Sequence, residues 1–344
     1  MQMTTKEKYY PLGKLPPEDL FALLEALPVR DPRVILGPGI GHDAAVIKFG
    51  ERLLVTKSDP ITFATDEIGW YAVHVNANDI ACLGATPRWF VATLLLPERK
   101  TTPALVTEIF QQTQTACAAL GVTLVGGHTE ITHDLNRPIM VGTMFGEVSP
   151  QRLVRSDGAR PGDKILLTKG IAVEGCALLA RERGEQLQND YGLPAELLAR
   201  AAQLLHEPGI SVVRDAAIAT ASGDVHAMHD PTEGGIATGL HELTTAAGVG
   251  AMLEEQSLPL LPETEPLCTP LGIDPLGLIA SGALLLAVAP QDAPQIGAAL
   301  RAAGIAAQII GAIRAEPGVY LRGPAGERPL PQFSRDEITR LFEA

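Results

Sequence analysis

The chain has 344 residues, 46% of them hydrophobic and 19% charged, a globular profile long enough for two domains. Its formal net charge of -13 argues against nucleic acid as a general partner, yet leaves room for a nucleotide whose phosphates ride on a metal ion. The four cysteines (Cys82, Cys117, Cys176 and Cys268) form no C-x-x-C pair and sit among small or apolar residues, as buried thiols of a reducing cytoplasm do.

The stretch from Met1 to Tyr10 is polar, with no apolar leader segment, and no apolar run is long enough to span a bilayer. A cytoplasmic protein without membrane contact is expected. Pro16-Pro17-Glu18-Asp19 opens a helix, and Leu20, Leu23, Leu24 and Leu27 follow at helical spacing. Next comes Gly37-Pro38-Gly39-Ile40-Gly41-His42-Asp43-Ala44-Ala45-Val46. Glycines such as Gly39 and Gly41 let backbone N–H groups approach a ligand, and an Asp at the end of such a loop can hold a metal that bridges phosphates. A plain turn before a buried strand has the same pattern. Strands are expected at Ala44–Ile47 and Arg52–Thr56, the second stopping at Lys57-Ser58-Asp59-Pro60 and leaving Asp59 at a strand end. Thr65 or Asp66 is expected to cap a helix that runs to about Leu83, with Gly84 beyond it. Within that helix Asn-x-Asn-Asp is poor helix material, so Asn76 and Asp79 mark a candidate functional face.

Trp89–Leu96 is expected as a strand and Ala104–Leu120 as a helix closed by Gly121. A buried strand at Val122–Val125 is expected to stop at Gly126-Gly127-His128-Thr129-Glu130, a strand-end loop of the kind that carries sites in α/β proteins. His128 there is a base, a ligand or a structural residue. Ile139–Val148 forms another strand. The turn-rich run from Ser156 to Asp163 divides a domain over residues 1–155 from one over 156–344. The second opens with a strand at Lys164–Leu167, followed by helices at about Val173–Arg183, Ala195–Leu205 and Ser211–Ala221. A short strand, Val225–Met228, leads to His229-Asp230-Pro231-Thr232-Glu233-Gly234-Gly235 and a helix to about Ala247. Asp230-Pro231-Thr232 either caps that helix or offers its N-terminus to an anion. Strands at Leu284–Val288 and Ala306–Ile313 flank a helix at Pro294–Ala303, and Pro259–Pro275 carries no readable motif. A tail helix at Arg335–Phe342 has Ser334 as its expected cap and Glu337 at the capping-box position.

Five of these stretches, in this order, resemble the aminoimidazole ribonucleotide (AIR) synthase superfamily. They are Gly41 to Val46, Ser58-Asp59-Pro60, Asn78-Asp79-Ile80-Ala81, Gly126 to Glu130, and Asp230 to Gly235. The similarity runs from about Gly37 to Ala247, is weaker at Ala280 to Leu285, and lies nearest the hydrogenase-maturation carbamoyl dehydratase branch. The resemblance implies a two-domain α/β (α+β) fold. Its N-terminal domain would dimerise through its sheet into a shared barrel, with ATP and Mg²⁺ in a cleft at the homodimer interface. Asp43, Asp59, Asp79 and Asp230 match the family's metal-binding acids, with Glu130 an additional one. Gly126 and Gly127, with Thr129, match its phosphate side, and Gly39, Gly41, Asp43 and Asp79 border the nucleotide. Lys14 corresponds to an N-terminal lysine near the phosphates, and Lys57 and His128 assist catalysis. The implied chemistry is transfer of the γ-phosphoryl group to an oxygen of a small substrate, with Mg²⁺ or Mn²⁺.

Departures keep other readings open. Members that dehydrate a carbamoyl group use a cysteine at the extreme C-terminus, whereas this sequence closes Arg340-Leu341-Phe342-Glu343-Ala344. Selenophosphate synthetases carry a reactive Cys or selenocysteine where this chain has Tyr10-Pro11-Leu12-Gly13-Lys14. His42 stands where a second Asp is usual. A kinase resembling thiamine-monophosphate kinase, which leaves the phosphate on its product, is one alternative. A nucleotide-binding accessory protein without turnover is another.

Overall fold

The computed structural model describes residues 10, 12–15, 17–25, 29–39 and 41–342; most of the N-terminal stretch searched for a leader, Leu27 and Ile40 lie outside them. The N-terminal half runs α1 (Pro17–Glu25), β1 (Val34–Leu36), β2 (Ala45–Phe49), β3 (Arg52–Ile61), α2 (Ile68–Cys82), β4 (Thr86–Pro97), α3 (Pro103–Leu120), β5 (Thr123–Thr132) and β6 (Ile139–Val148). Its strands form one sheet in the order β1-β2-β3-β6-β4-β5, antiparallel except for the β4–β5 pair. The C-terminal half runs β7 (Lys164–Thr168), α4 (Val173–Tyr191), α5 (Ala195–Gln203), α6 (Val213–Ser222), β8 (Val225–His229), α7 (Gly235–Ala247), β9 (Gly250–Glu254), α8 (Thr264–Leu271), β10 (Leu285–Val288), α9 (Ala293–Ala302), β11 (Ala307–Arg314), β12 (Gly318–Gly323) and β13 (Gly326–Pro329). Its sheet has the order β13-β12-β9-β11-β7-β10-β8. The mixed α/β two-domain architecture expected from the sequence is the one observed. Among the described residues no helix is long and apolar enough to cross a membrane.

α2 holds the two halves together. It is buried along nearly its whole length because it has no solvent face: β3, β4, β6 and α3 flank it in the first half, and α6 and β8 in the second. β10 is buried at every position, as a central strand covered on both faces must be. α6 and α9 cover one of those faces through Ala216, Ala219, Ile296 and Leu300. The four cysteines are free and buried. Leu20 and Leu23 of α1 stay exposed, so the leucine face of that helix is not covered within one chain.

Four local expectations are corrected. β3 does not stop before Asp59 but continues through Pro60 to Ile61, because β2 pairs with it only as far as Thr56 and a proline is tolerated on the edge this leaves. β5 does not stop at Val125. The register with β4 passes from Phe90↔Leu124 to Val91↔Gly126, so Val125 forms a bulge and Gly126 to Glu130 lie inside the strand. Gly127 sits at φ +153°, where a Cβ would come within 2.0 Å of the Ala92 carbonyl oxygen, so here glycine permits close strand approach instead of ending the strand. α2 begins at Ile68 with Glu67 in the left-handed region. Thr65 donates instead to Glu182, 2.8 Å from its hydroxyl, and caps nothing. The tail is a 3-10 helix, Glu337–Phe342, and Asp336, not Ser334, accepts the Ile338 N–H at 2.7 Å. Glu337 reaches away to the Asp274 N–H at 3.0 Å. β1, β9, β12, β13 and α8 were not expected from the sequence.

Candidate functional site

Residues two apart on a helix point to nearly opposite sides, and α2 uses this to join the two sheets. Asn76 faces β3, where its Oδ1 accepts the Asp59 N–H at 2.9 Å and its Nδ2 donates to the Asp59 and Ala72 carbonyls at 3.3 and 2.9 Å. It supplies the partner that β2 no longer gives that strand. Asn78 faces the C-terminal half. Its Nδ2 donates to Asp230 Oδ2 at 2.9 Å and to the Ile210 carbonyl at 2.8 Å, and its Oδ1 accepts the Val212 N–H at 2.8 Å. The Asn-x-Asn pair that looked unsuited to a helix is the clamp between the halves.

Asp79 follows at once and is buried. The Lys57 ammonium from β3 lies 3.2 Å from Asp79 Oδ2 and 3.2 Å from Asp59 Oδ2. Asp43 enters from the glycine loop. His229, at the end of β8, bridges Asp43 Oδ2 at 3.0 Å and Glu242 Oε2 of α7 at 3.1 Å. The loop fits there because Gly41, at φ +71°, lies on α7, where a Cβ would come within 2.7 Å of the Glu242 carbonyl oxygen. His42 contacts the Gly37 carbonyl at 2.9 Å through Nδ1, so it braces the loop it belongs to. Asp43, Asp59, Asp79 and Asp230, drawn from two loops, a strand and a helix, thus share one electrostatic neighbourhood.

Burial dominates that neighbourhood. It pushes the Asp79 carboxyl well up; Lys57 opposes this, while the nearby Asp59, Asp43 and Asp230 add to it. Burial also pushes Asp230 up to about 7, against the Asn78 hydrogen bond and the charge of His229. For Lys57 burial alone would lower the value, but Asp79, Asp59 and Asp43 hold the ammonium well above its usual range. His229 is likewise held well above the usual imidazole range, because Asp43 and Glu242 outweigh burial. Lys14 is raised as well, through the negative charges of Glu242 and Glu233.

The donor set fits a hard divalent cation. Asp230 Oδ1 is buried without a hydrogen-bond partner, and Asp79 Oδ2 has the ammonium contact but no hydrogen bond of good geometry. As the side chains stand, though, no three His, Cys, Asp or Glu groups among the described residues are grouped to hold a metal ion. Lys57 and His229 provide the positive charge instead.

The other half of the expected site is elsewhere. Gly126, Gly127, His128, Thr129 and Glu130 lie on β5, the outer strand, with β4 and β6 between it and the strand that bears Lys57 and Asp59. His128 Nε2 is 3.4 Å from Glu130 Oε2, both side chains being more than half exposed. The glycines, His128 and Thr129 line an open pocket of about 410 Å³ against Ile109 and Phe110 of α3. Within one chain these residues do not join the acids.

Sequence reasoning missed His229 and Glu242 as members of the cluster. No local pattern marks them, because the partners are 186 residues apart for His229–Asp43. It also missed a polar seam on the side of α2 that faces the C-terminal half. Tyr71, His74, Glu174 and Ser281 are buried there with polar atoms that lack partners. Burial moves Glu174 up to about 8 and His74 down to about 3, so both are uncharged near neutral pH.

Residues 41–148 match the family described as AIR synthase related protein, N-terminal domain, and residues 160–323 its C-terminal domain. The protein named carbamoyl dehydratase HypE from Rhizobium leguminosarum bv. viciae is 30% identical over 314 residues, covering 88% of this chain and 86% of that protein. The crystal structure of hydrogenase maturation protein HypE in complex with ATP superposes with a TM-score of 0.70 at 26% identity, covering 88% of this chain and 90% of that one. AaThiL complexed with AMPPCP and TMP has a TM-score of 0.74 over 96% of this chain and 99% of that one; at 19% identity it speaks for the fold alone. The chain belongs to the AIR synthase related family.

Proposed function

We propose that the chain is an ATP- and divalent-cation-dependent enzyme that transfers the γ-phosphoryl group to an oxygen of a small substrate. The observation that carries this reading is the convergence of Asp43, Asp59, Asp79 and Asp230 on one buried neighbourhood containing Lys57 and His229. These four acids would hold Mg²⁺, with Glu130 as a further oxygen donor. The bound ion would neutralise charge on the transferring phosphoryl group. Gly39 and Gly41 on one side, and Gly126, Gly127 and Thr129 on the other, would border the nucleotide. Lys57 and His128 would assist from their two strands.

The acids and β5 complete one another only across two copies, so the reading includes a homodimer built through the exposed edge of β5. Leu124, Val125 and Ile131 on that strand are apolar and open, which supports such pairing. The relative named as a carbamoyl dehydratase supports a reaction in which an oxygen is activated as a leaving group. Cys82 lies near the acids, but burial holds its thiol well above the usual range, and the other three cysteines are buried too. The acceptor oxygen therefore arrives on a separate molecule in this proposal.

Calorimetry of ATP binding with and without Mg²⁺, on the parent and on Asp43→Asn and Asp230→Asn, tests it. Metal-dependent binding that either substitution abolishes is expected. Binding that is indifferent to Mg²⁺ and unchanged in both variants would overturn the assignment.

A further inference from the structure

The Lys57 ammonium stands between the two carboxylates from which a divalent cation would draw oxygen ligands. It is 3.2 Å from Asp59 Oδ2 and 3.2 Å from Asp79 Oδ2, and the Lys57 side chain keeps 22% of its surface open to solvent. Asp79 Oδ2 makes no hydrogen bond of its own, and Asp230 Oδ1, in the same neighbourhood, has no partner. Asp59 is held from behind by Asn76 through its backbone N–H and carbonyl, and Asp230 by Asn78 through its carboxylate. The Asp59 backbone and the Asp230 carboxylate are therefore anchored. Lys57 is the movable member, a cation on a flexible four-carbon stem with an open way out.

We infer that Lys57 is a resident placeholder for the divalent cation: its ammonium and the metal occupy the Asp59–Asp79 position in turn, and metal entry swings Lys57 out of it. This inference rests on the proposed cation-dependent reading and goes beyond it. A buried Asp79 carboxylate facing the half-buried Asp59 would be repelled without a cation between them, so in the empty protein the ammonium offsets their charge. Once a metal takes over that duty, the ammonium is released at the mouth of the cleft, where the phosphates of a nucleotide would lie. Metal loading and the delivery of Lys57 then become one event, and Lys57 acts as a positioning residue whose location reports whether the site is charged.

The test uses Mn²⁺ as probe, its free concentration followed by electron paramagnetic resonance, with the full chain and no nucleotide. Lys57→Met is expected to bind Mn²⁺ about tenfold more tightly than the parent, because nothing competes for the two carboxylates. Lys57→Arg, which keeps the charge, is expected to show no gain, and Asp79→Asn on top of Lys57→Met to erase it. Equal Mn²⁺ affinity in parent and Lys57→Met overturns the inference. A second measurement needs no variant: acylation of Lys57 by acetic anhydride, read by mass spectrometry, should rise when saturating Mn²⁺ is added to the parent. Unchanged labelling likewise overturns it, including where Lys57→Met does not fold. A parent that binds Mn²⁺ with a non-hydrolysable ATP analogue but shows no gain in Lys57→Met rejects the placeholder alone. Absence of Mn²⁺ binding in every form, with or without the analogue, rejects the cation-dependent reading and the placeholder with it.

Discussion

The acid cluster and the β5 edge strand carry motifs of equal clarity in the sequence, yet the fold treats them in opposite ways. The cluster is buried, cross-linked between the two halves and neutralised by Lys57 and His229. The strand is open along almost its whole length and makes one weak ion pair, His128–Glu130. The acids meet their counter-charges within one chain. The strand leaves its apolar side chains outside. Motif order alone does not separate the two, whereas exposure does.

The sharpest way to break this contrast is to charge the edge. Val125 forms the bulge of β5 and is more than half exposed, so Val125→Lys should leave the folded chain intact while blocking strand addition. We expect a monomer in sedimentation velocity and a fall in substrate-dependent ATP consumption of about 100-fold, with thermal unfolding nearly unchanged. A variant that stays monomeric and fully active would show that the strand belongs to no shared site.

The cluster should behave in the reverse way, costing stability whenever one charge is removed. His229→Gln leaves Asp43 and Glu242 facing each other without the imidazolium between them. A loss of about 2–3 kcal/mol in denaturant unfolding is expected, and Glu242→Gln in the same chain should recover part of it. Additive losses in the double variant would mean that the bridge carries no coupling.

Legibility divides along the same line. Asp43, Asp59, Asp79 and Asp230 stand out because each sits in a turn or beside a residue unsuited to its element, and that conflict is local. His229 and Glu242 are ordinary at their own positions and matter only through contacts made across the fold. Gly126-Gly127 was misread as a stop because glycine permits both a turn and a close strand contact, and only the Ala92 carbonyl beside Gly127 decides between them. Pro60 was misread for a similar reason, since whether a proline ends a strand depends on which neighbour is absent. Thr65 is a plausible cap whose hydroxyl goes instead to the distant Glu182, and Ser334 one whose place is taken by its neighbour Asp336, which accepts the Ile338 N–H.

Next to the paired charges lies the seam that avoids charge altogether, and pH separates the two. Glu174 is raised by burial from 4.5 to about 8, so the folded chain holds a proton that the unfolded chain has released across that interval. Stability is therefore greatest below about pH 4.5 as far as this group is concerned, and falls as pH rises toward 8. Asp230, raised to about 7, adds to the fall up to that pH. Glu174→Gln should remove its share: the variant is expected to gain on the order of 4 kcal/mol over the parent at pH 8, and little at pH 4. Parallel unfolding curves for the two proteins across this range would place the Glu174 carboxyl in contact with water.

The smallest signal discriminates best. Asp79→Asn disables the acid cluster, and His128→Ala, which removes an exposed side chain without disturbing the pairing of β5, disables the strand's share of the site. Each homodimer should be inactive. Unfolding and reassembling the two together makes about half of the dimers mixed. If each site takes its acids from one copy and its strand from the other, a mixed dimer has one site with both defects and one with neither. The mixture should then recover about a quarter of the parent activity. If each copy holds a complete site, every site in a mixed dimer still carries one defect and nothing returns. Stability hardly enters this comparison, because both arms contain the same two chains in the same proportions; what differs is only whether the cluster and the strand that the fold keeps apart are joined by a second copy.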